Sequence, residues 1–201
     1  MFTTRTLAAL TAVAALALTA PTASAQTAAA GRAQANQPKP QARTGQPTPR
    51  SANSEKPDLI IADITFDPSD NEVKVKIKNI GDKNADDSHV RLKIVARVGG
   101  QANEKVLFDQ EKSVGDIGDG NDKTKDFNVN FQSIKTQADA FKSQLLANVD
   151  RLALPQATKN RLKKQINDNF QVVAIATADN RNEIAEKNEA NNNRTETFPT
   201  N

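Results

Sequence analysis

The side chains with the most chemical capacity come late in the chain, where Asp179 to Asn192 reads DNRNEIAEKNEANN. Such a run of carboxylates and carboxamides can do two kinds of work. Asp and Glu carboxylates and amide carbonyls are the hard oxygen donors that calcium takes, and Asp179, Glu186, Glu189 and Asn191 form the candidate ligand set. The same side chains also cap backbone N–H groups in tight turns, which makes Glu189 and Asn191 structural. Their spacing matches no defined calcium loop, so turn capping is the preferred reading and calcium the alternative. A second acidic stretch, Asp116 to Asp122, fails a stricter test. An EF-hand needs an oxygen ligand at its third position and Glu at its twelfth, where Gly118 and Phe127 stand. A glycine-supported hairpin turn is expected there.

Other chemistry is sparse. His89 is the single histidine and there is no cysteine, so multi-histidine metal centres, the usual zinc sites and thiol nucleophiles are excluded. A Ser–His–Asp triad would need His89 beside Ser88 or Ser113, and no nucleophile elbow accompanies either. The expectation is a non-enzyme without a cofactor. A glycan hydrolase built on paired carboxylates is the remaining catalytic alternative.

The chain's formal charge of +3 hides an uneven distribution. Residues 26–56 hold Arg32, Lys39, Arg43, Arg50 and Lys56 against Glu55, whereas the segment from Pro57 onward is mildly acidic. With no Trp or Tyr to stack bases, nucleic acid is not an expected partner. Residues 1–25 read as a secretory signal, with Arg5 before the apolar run Leu7 to Ala20, and cleavage is expected between Ala25 and Gln26. That run is shorter than a bilayer span, so no transmembrane anchor is expected after cleavage. The expected destination is the periplasm or the exterior. Residues 26–56 are rich in Ala, Gln and Pro with almost no large apolar side chain, and read as a disordered basic linker.

From residue 57 onward the pattern is that of short strands. Ile60, Ala62, Ile64 and Phe66 alternate with polar residues, and Val73, Val75 and Ile77 alternate with Lys74, Lys76 and Lys78. The alternation returns at Val90, Leu92, Ile94, Ala96 and Val98, then around Val106 to Phe108. Asp126 to Phe131 follows, with Phe127, Val129 and Phe131 predicted inward. Phe170 to Ala178 is apolar on both faces, as a central strand would be, and Arg194 to Phe198 suits an edge. Between these strands Ile134, Ala138, Phe141, Leu145, Val149 and Leu152 step by three or four, and Pro155 opens a second helix. The predicted fold is an all-β, antiparallel, immunoglobulin-like sandwich of about seven strands over 57–201, with a helical hairpin inserted at about 133–167. The hairpin's apolar stripe is expected to dock on a sheet face; whatever part stays exposed is a candidate partner-binding surface, with Phe141, Leu145 and Val149 as apolar contacts and Arg161, Lys163 and Lys164 as basic ones.

Several stretches together resemble the CARDB (cell-adhesion-related) family of bacteria. Its closing signature is matched by Asp179, Asn182, Ile184, Glu186, Asn188, Glu189, Asn191 and Asn192. Pro57-Asp58-Leu59 resembles its entry strand, Val75 to Gly81 (VKIKNIG) its second strand, and Val114 to Gly120 (VGDIGDG) its mid-domain turn. The resemblance implies an extracellular sandwich used as a spacer or interaction module. The helical insertion departs from the family pattern. The function expected is an exported, non-catalytic module that binds a protein or glycan of the cell envelope or exterior, with a calcium-dependent adhesion or scaffold module as the alternative.

Overall fold

The computed structural model describes residues 55–100 and 104–200. The signal-peptide and linker readings, including the Ala25–Gln26 cleavage point, fall on residues outside this range.

Among the described residues seven strands form two antiparallel sheets, as the alternating pattern predicts. Strands β1 (Leu59–Asp67), β2 (Glu72–Asn79) and β5 (Asp122–Asn128) make a three-stranded sheet in the order β1-β2-β5. Strands β3 (His89–Val98), β4 (Glu104–Ser113), β6 (Phe170–Thr177) and β7 (Asn193–Thr197) make a four-stranded sheet in the order β4-β3-β6-β7. The inner faces of the two sheets enclose one core, in which Val73, Val75, Ile77, Leu92, Ile94 and Phe127 are fully buried. Burial of this kind contributes roughly 25 cal/mol per Å² of apolar surface. Without disulfides it is the main cohesive force between the sheets.

Two predicted phases need correction. In β1 the first inward residues are Leu59 and Ile61, not Ile60 and Ala62. A register shift between Ile61 and Asp63 inserts an extra residue, and only beyond it do Ile64 and the half-buried Phe66 face the core. The bulge has a partner across the sandwich: the Arg194 guanidinium of β7 donates to the Ala62 carbonyl. The second correction concerns β5, where Phe127 and Val129 are buried as expected but Phe131 lies beyond the strand. Asn130 caps a helix there, accepting from the Ser133 amide at 2.8 Å, and Phe131 stacks on Phe198 at 4.7 Å.

The insertion is helix α1 (Phe131–Arg151) followed by α2 (Gln156–Asn169), with Pro155 at the N-cap of the second. Ile134 and Ala138 enter the main core. Val149 and Ile166 join Val98 in a separate small cluster, flanked by Leu145, Leu146, Leu162 and Phe170. The hairpin is therefore rooted on the sandwich by the start of α1 and on β3 and β6 by its own satellite core.

The segment Asp116 to Asp122 is not a hairpin turn. It joins β4 to β5, which lie in different sheets, and so crosses the sandwich. Gly120 at φ 71° makes its bend, and an Ala85–Ile117 bridge ties it to the β2–β3 connection.

Candidate functional site

Strand directions put three connections at one end of the sandwich: 80–88, 114–121 and 178–192. The chain enters β1 at this same end. The acidic and amide run of the closing loop, 178–192, is built into this end as a clasp.

The loop leaves β6 through Asp179 at φ 42° and turns again at Asn182, φ 52°, a left-handed conformation that Asp and Asn tolerate better than most residues. Asp179 is 1% exposed, and its two carboxylate oxygens accept from the amides of Glu183 and Ile184, each at 2.9 Å. That turn drives Ile184 into the core. Asn188 accepts from the Ala190 amide at 3.1 Å, and Glu189 accepts from the Glu186 amide at 2.9 Å. These are the local side-chain to backbone bonds of the turn-capping reading.

The remaining residues of the run reach across the chain to the entry strand. Glu186 accepts from the Leu59 amide at 3.1 Å, and Asn191 donates to Asp58 at 2.9 Å. Asn192, with its amide nitrogen turned inward, lies 3.0 Å from each of the Leu59 carbonyl, Asn191 Oδ1 and Glu186 Oε2. The Lys187 amide donates to the Pro57 carbonyl at 2.9 Å, and its ammonium pairs with Asp82 at 2.9 Å. The closing loop thus pins Pro57, Asp58 and Leu59, where the chain enters the domain.

Asn79, absent from the candidate residues, completes the arrangement from the other side. It is fully buried: its carbonyl oxygen accepts from the amides of Asp58 (3.2 Å) and Gly81 (3.0 Å), and its nitrogen donates to the carbonyls of Lys83 (2.8 Å) and Ile117 (3.1 Å). A sequence signal for it exists. Asn79 continues the inward phase of Val73, Val75 and Ile77, a position where an amide must find partners. Beside it, Gly81 has no room for a side chain, because a Cβ would stand 2.4 Å from the Lys56 carbonyl oxygen.

Glu186 sits in the clasp in a setting that disfavours its charge. It is 4% exposed, and burial pushes its carboxyl up to about 7, with the charges of Glu189, Asp179 and Asp58 adding to the effect and the Leu59 amide opposing it. Its Oε1 has no hydrogen-bond partner.

The four candidate calcium ligands are engaged in hydrogen bonds of the clasp. Both Asp179 oxygens and one Glu189 oxygen hold backbone amides, and Asn191 turns its nitrogen to Asp58. Among the described residues no cluster of three or more His, Cys, Asp or Glu side chains is placed to hold a metal.

Neither Ser88 nor Ser113 is hydrogen-bonded to the His89 ring among the described residues. Ser88 is 1% exposed and its hydroxyl has no hydrogen-bond partner, while the neighbouring His89 ring faces Glu183 at 2.7 Å. Ser113 lies opposite His89 in the β3–β4 register without a hydrogen bond to its ring among the described residues.

On the hairpin, the candidate partner residues divide. Val149 is 2% exposed and packed in the satellite core, so it is unavailable to a partner. Leu145 and Phe141 are half-buried, the latter tilted 6.4 Å from the Phe170 ring. Lys163 pairs with Asp150 at 2.6 Å and Lys164 with Asp168 at 2.7 Å, an exposed pair of little energetic worth. Arg161 is exposed, as are Arg151 and Leu154, which the sequence reading did not single out. No helix among the described residues is long and apolar enough to cross a membrane.

Among solved structures, the chain is similar to a CARDB domain from Pyrococcus furiosus crystallised with di-metal ions. The identity is 18%, covering 70% of this chain and 85% of that one, with a TM-score of 0.35. The solution structure of that domain matches at 16% identity over 70% and 92%, TM-score 0.33. A sporulation control protein from Bacillus subtilis matches at 14% over 62% and 42%, TM-score 0.29. No curated protein matches the chain significantly. The CARDB family model matches residues 56–196, most of the chain and nearly all of the sandwich, so this chain belongs to the CARDB family, whose members are non-catalytic, adhesion-like modules.

Proposed function

We propose that the chain is an exported interaction module that binds a protein or glycan of the cell envelope or exterior through the helical hairpin, with the sandwich as its rigid carrier. One observation supports this reading above others. The clasp residues are turned inward and spent on holding the fold, whereas the hairpin, the departure from the family pattern, presents Arg151, Leu154, Arg161 and Lys164 outward. A module specialised by grafting a surface onto a common sandwich has this organisation. Export follows from the signal-like residues 1–25, and the basic linker 26–56 serves as a spacer.

Replacing the whole hairpin is a poor test, since Ile134 and Ala138 belong to the main core. The better variant is Arg151→Glu with Arg161→Glu and Lys164→Glu, which alters only exposed side chains. Immobilised wild-type protein is expected to retain a discrete envelope component that the triple variant loses at least tenfold, with unchanged circular dichroism. Equal retention by both proteins would contradict a hairpin-borne function.

A further inference from the structure

The domain is electrically bipolar along its strands. The three connections at the clasp end (80–88, 114–121, 178–192) hold nine acidic residues against three basic ones, a formal −6. The inserted hairpin, 131–169, holds seven basic residues against three acidic ones, a formal +4. Topology places these charges at opposite ends. The hairpin leaves from the end of β5 and returns at the start of β6, where the Gly99 amide donates to the Asn169 carbonyl. The acidic connections join the other ends of the same strands.

Both surfaces keep charges uncommitted. At the clasp end Asp86, Asp87, Asp116 and Asp119 are exposed and form no ion pair among the described residues; on the hairpin the same is true of Arg151 and Arg161. Each end also offers an exposed apolar side chain. Three large apolar residues stand out from the described surface, and two of them fall here: Ile80 at the acidic end, 48% exposed, and Leu154 at the hairpin turn, 39% exposed.

From this complementarity we infer that the hairpin's partner includes a second copy of this chain, whose acidic loop end receives the basic hairpin in a head-to-tail contact. The inference rests on the hairpin reading above and names an occupant for it. A contact of this kind is heterologous: a pair formed through it keeps one free end of each type, so assembly continues past the dimer into an open chain or a ring. Opposed charged surfaces raise the encounter rate and fix orientation, with a strong dependence on salt.

Sedimentation of the purified protein tests it. Near 0.01 M salt, where charges act over about 30 Å, the weight-average mass is expected to rise at least twofold with concentration; near 1 M, where they act over about 3 Å, it should fall to the monomer. The hairpin variant Arg151→Glu/Arg161→Glu/Lys164→Glu and a loop variant Asp86→Lys/Asp116→Lys/Asp119→Lys should each stay monomeric alone. Mixed one to one they should associate again, because each supplies the charge that the other has inverted. Monomers for wild type at both salt concentrations, or variants that fail to associate on mixing while both fold by circular dichroism, would overturn the inference. Should that failure accompany hairpin-dependent capture of an envelope component, only the second-copy occupant falls; without such capture the hairpin reading falls with it.

Discussion

Asn79→Ala is expected to destabilise the domain by about 4 kcal/mol, counting about 1 kcal/mol for each of the four hydrogen bonds it breaks in a dry site. The amides of Asp58 and Gly81 and the carbonyls of Lys83 and Ile117 would all lose their partner at once. For a domain of this size the melting temperature should fall by roughly 10 °C. Asn79→Asp separates hydrogen bonding from shape. A carboxylate still accepts from the two amides but cannot donate to the two carbonyls, and it buries a charge, so the loss should be as large or larger. A shift under about 1 kcal/mol for either variant by urea denaturation would mean that the entry strand is not held by this residue.

The second large effect is a pH dependence with an unusual sign. Glu186 has a carboxyl raised in the folded domain to about 7 from an ordinary value of 4.5. The folded state therefore binds the proton more tightly than the unfolded one. Its contribution to stability is complete below about pH 4.5 and is lost as the pH rises through about 7. Most of this change is expected between pH 5 and pH 8, up to about 3 kcal/mol at 1.36 kcal/mol per pKa unit. Carboxylates held low, such as Asp82 beside Lys187 and Asp109 beside Arg91, act in the opposite sense and only at more acidic pH. Glu186→Gln, a mimic of the protonated form, should flatten the profile, raising the melting temperature at pH 8 and changing it little at pH 5. A wild-type melting temperature that climbs from pH 5 to pH 8 would contradict this account of Glu186.

Much of the fold was legible because one side of each strand faces a core. The phases of β2 and β3 could be read directly from Val73, Val75 and Ile77 and from Val90 to Val98, since a period of two with Lys or Arg between admits one orientation. The β1 phase was misread at Ile60 and Ala62 because a single bulged residue inverts the alternation, and a bulge is settled by pairing across strands. Phe131 fitted the strand period, but the Asn130 cap, which accepts from the Ser133 amide three residues on, competes for the same segment and wins for the helix. The connection at Asp116 to Asp122 has the composition of a hairpin; which sheet each flanking strand joins is a long-range property.

The closing motif was recognisable as a pattern, and half of its physics was local: Asp179 and Glu189 capping their own loop follow from residue type and spacing. The other half spans the chain. Glu186 meets Leu59 127 residues away, and Asn191 meets Asp58 133 residues away, so no window of sequence contains both partners. Oxygen-rich composition alone suits calcium and backbone capping equally, and the difference lies in where each lone pair is directed. On the hairpin, a three-to-four spacing identified the apolar stripe, yet could not divide Val149 in the satellite core from the half-buried Phe141 and Leu145.

The central claim is that the sandwich is a carrier and the hairpin its contact surface. A photo-crosslinking side chain at Arg161 of the hairpin, compared with one at the exposed Lys76 of β2, tests it most directly in intact cells. The account predicts a discrete crosslinked product from position 161 and none from position 76. Products from position 76 alone, or identical products from both, would contradict it.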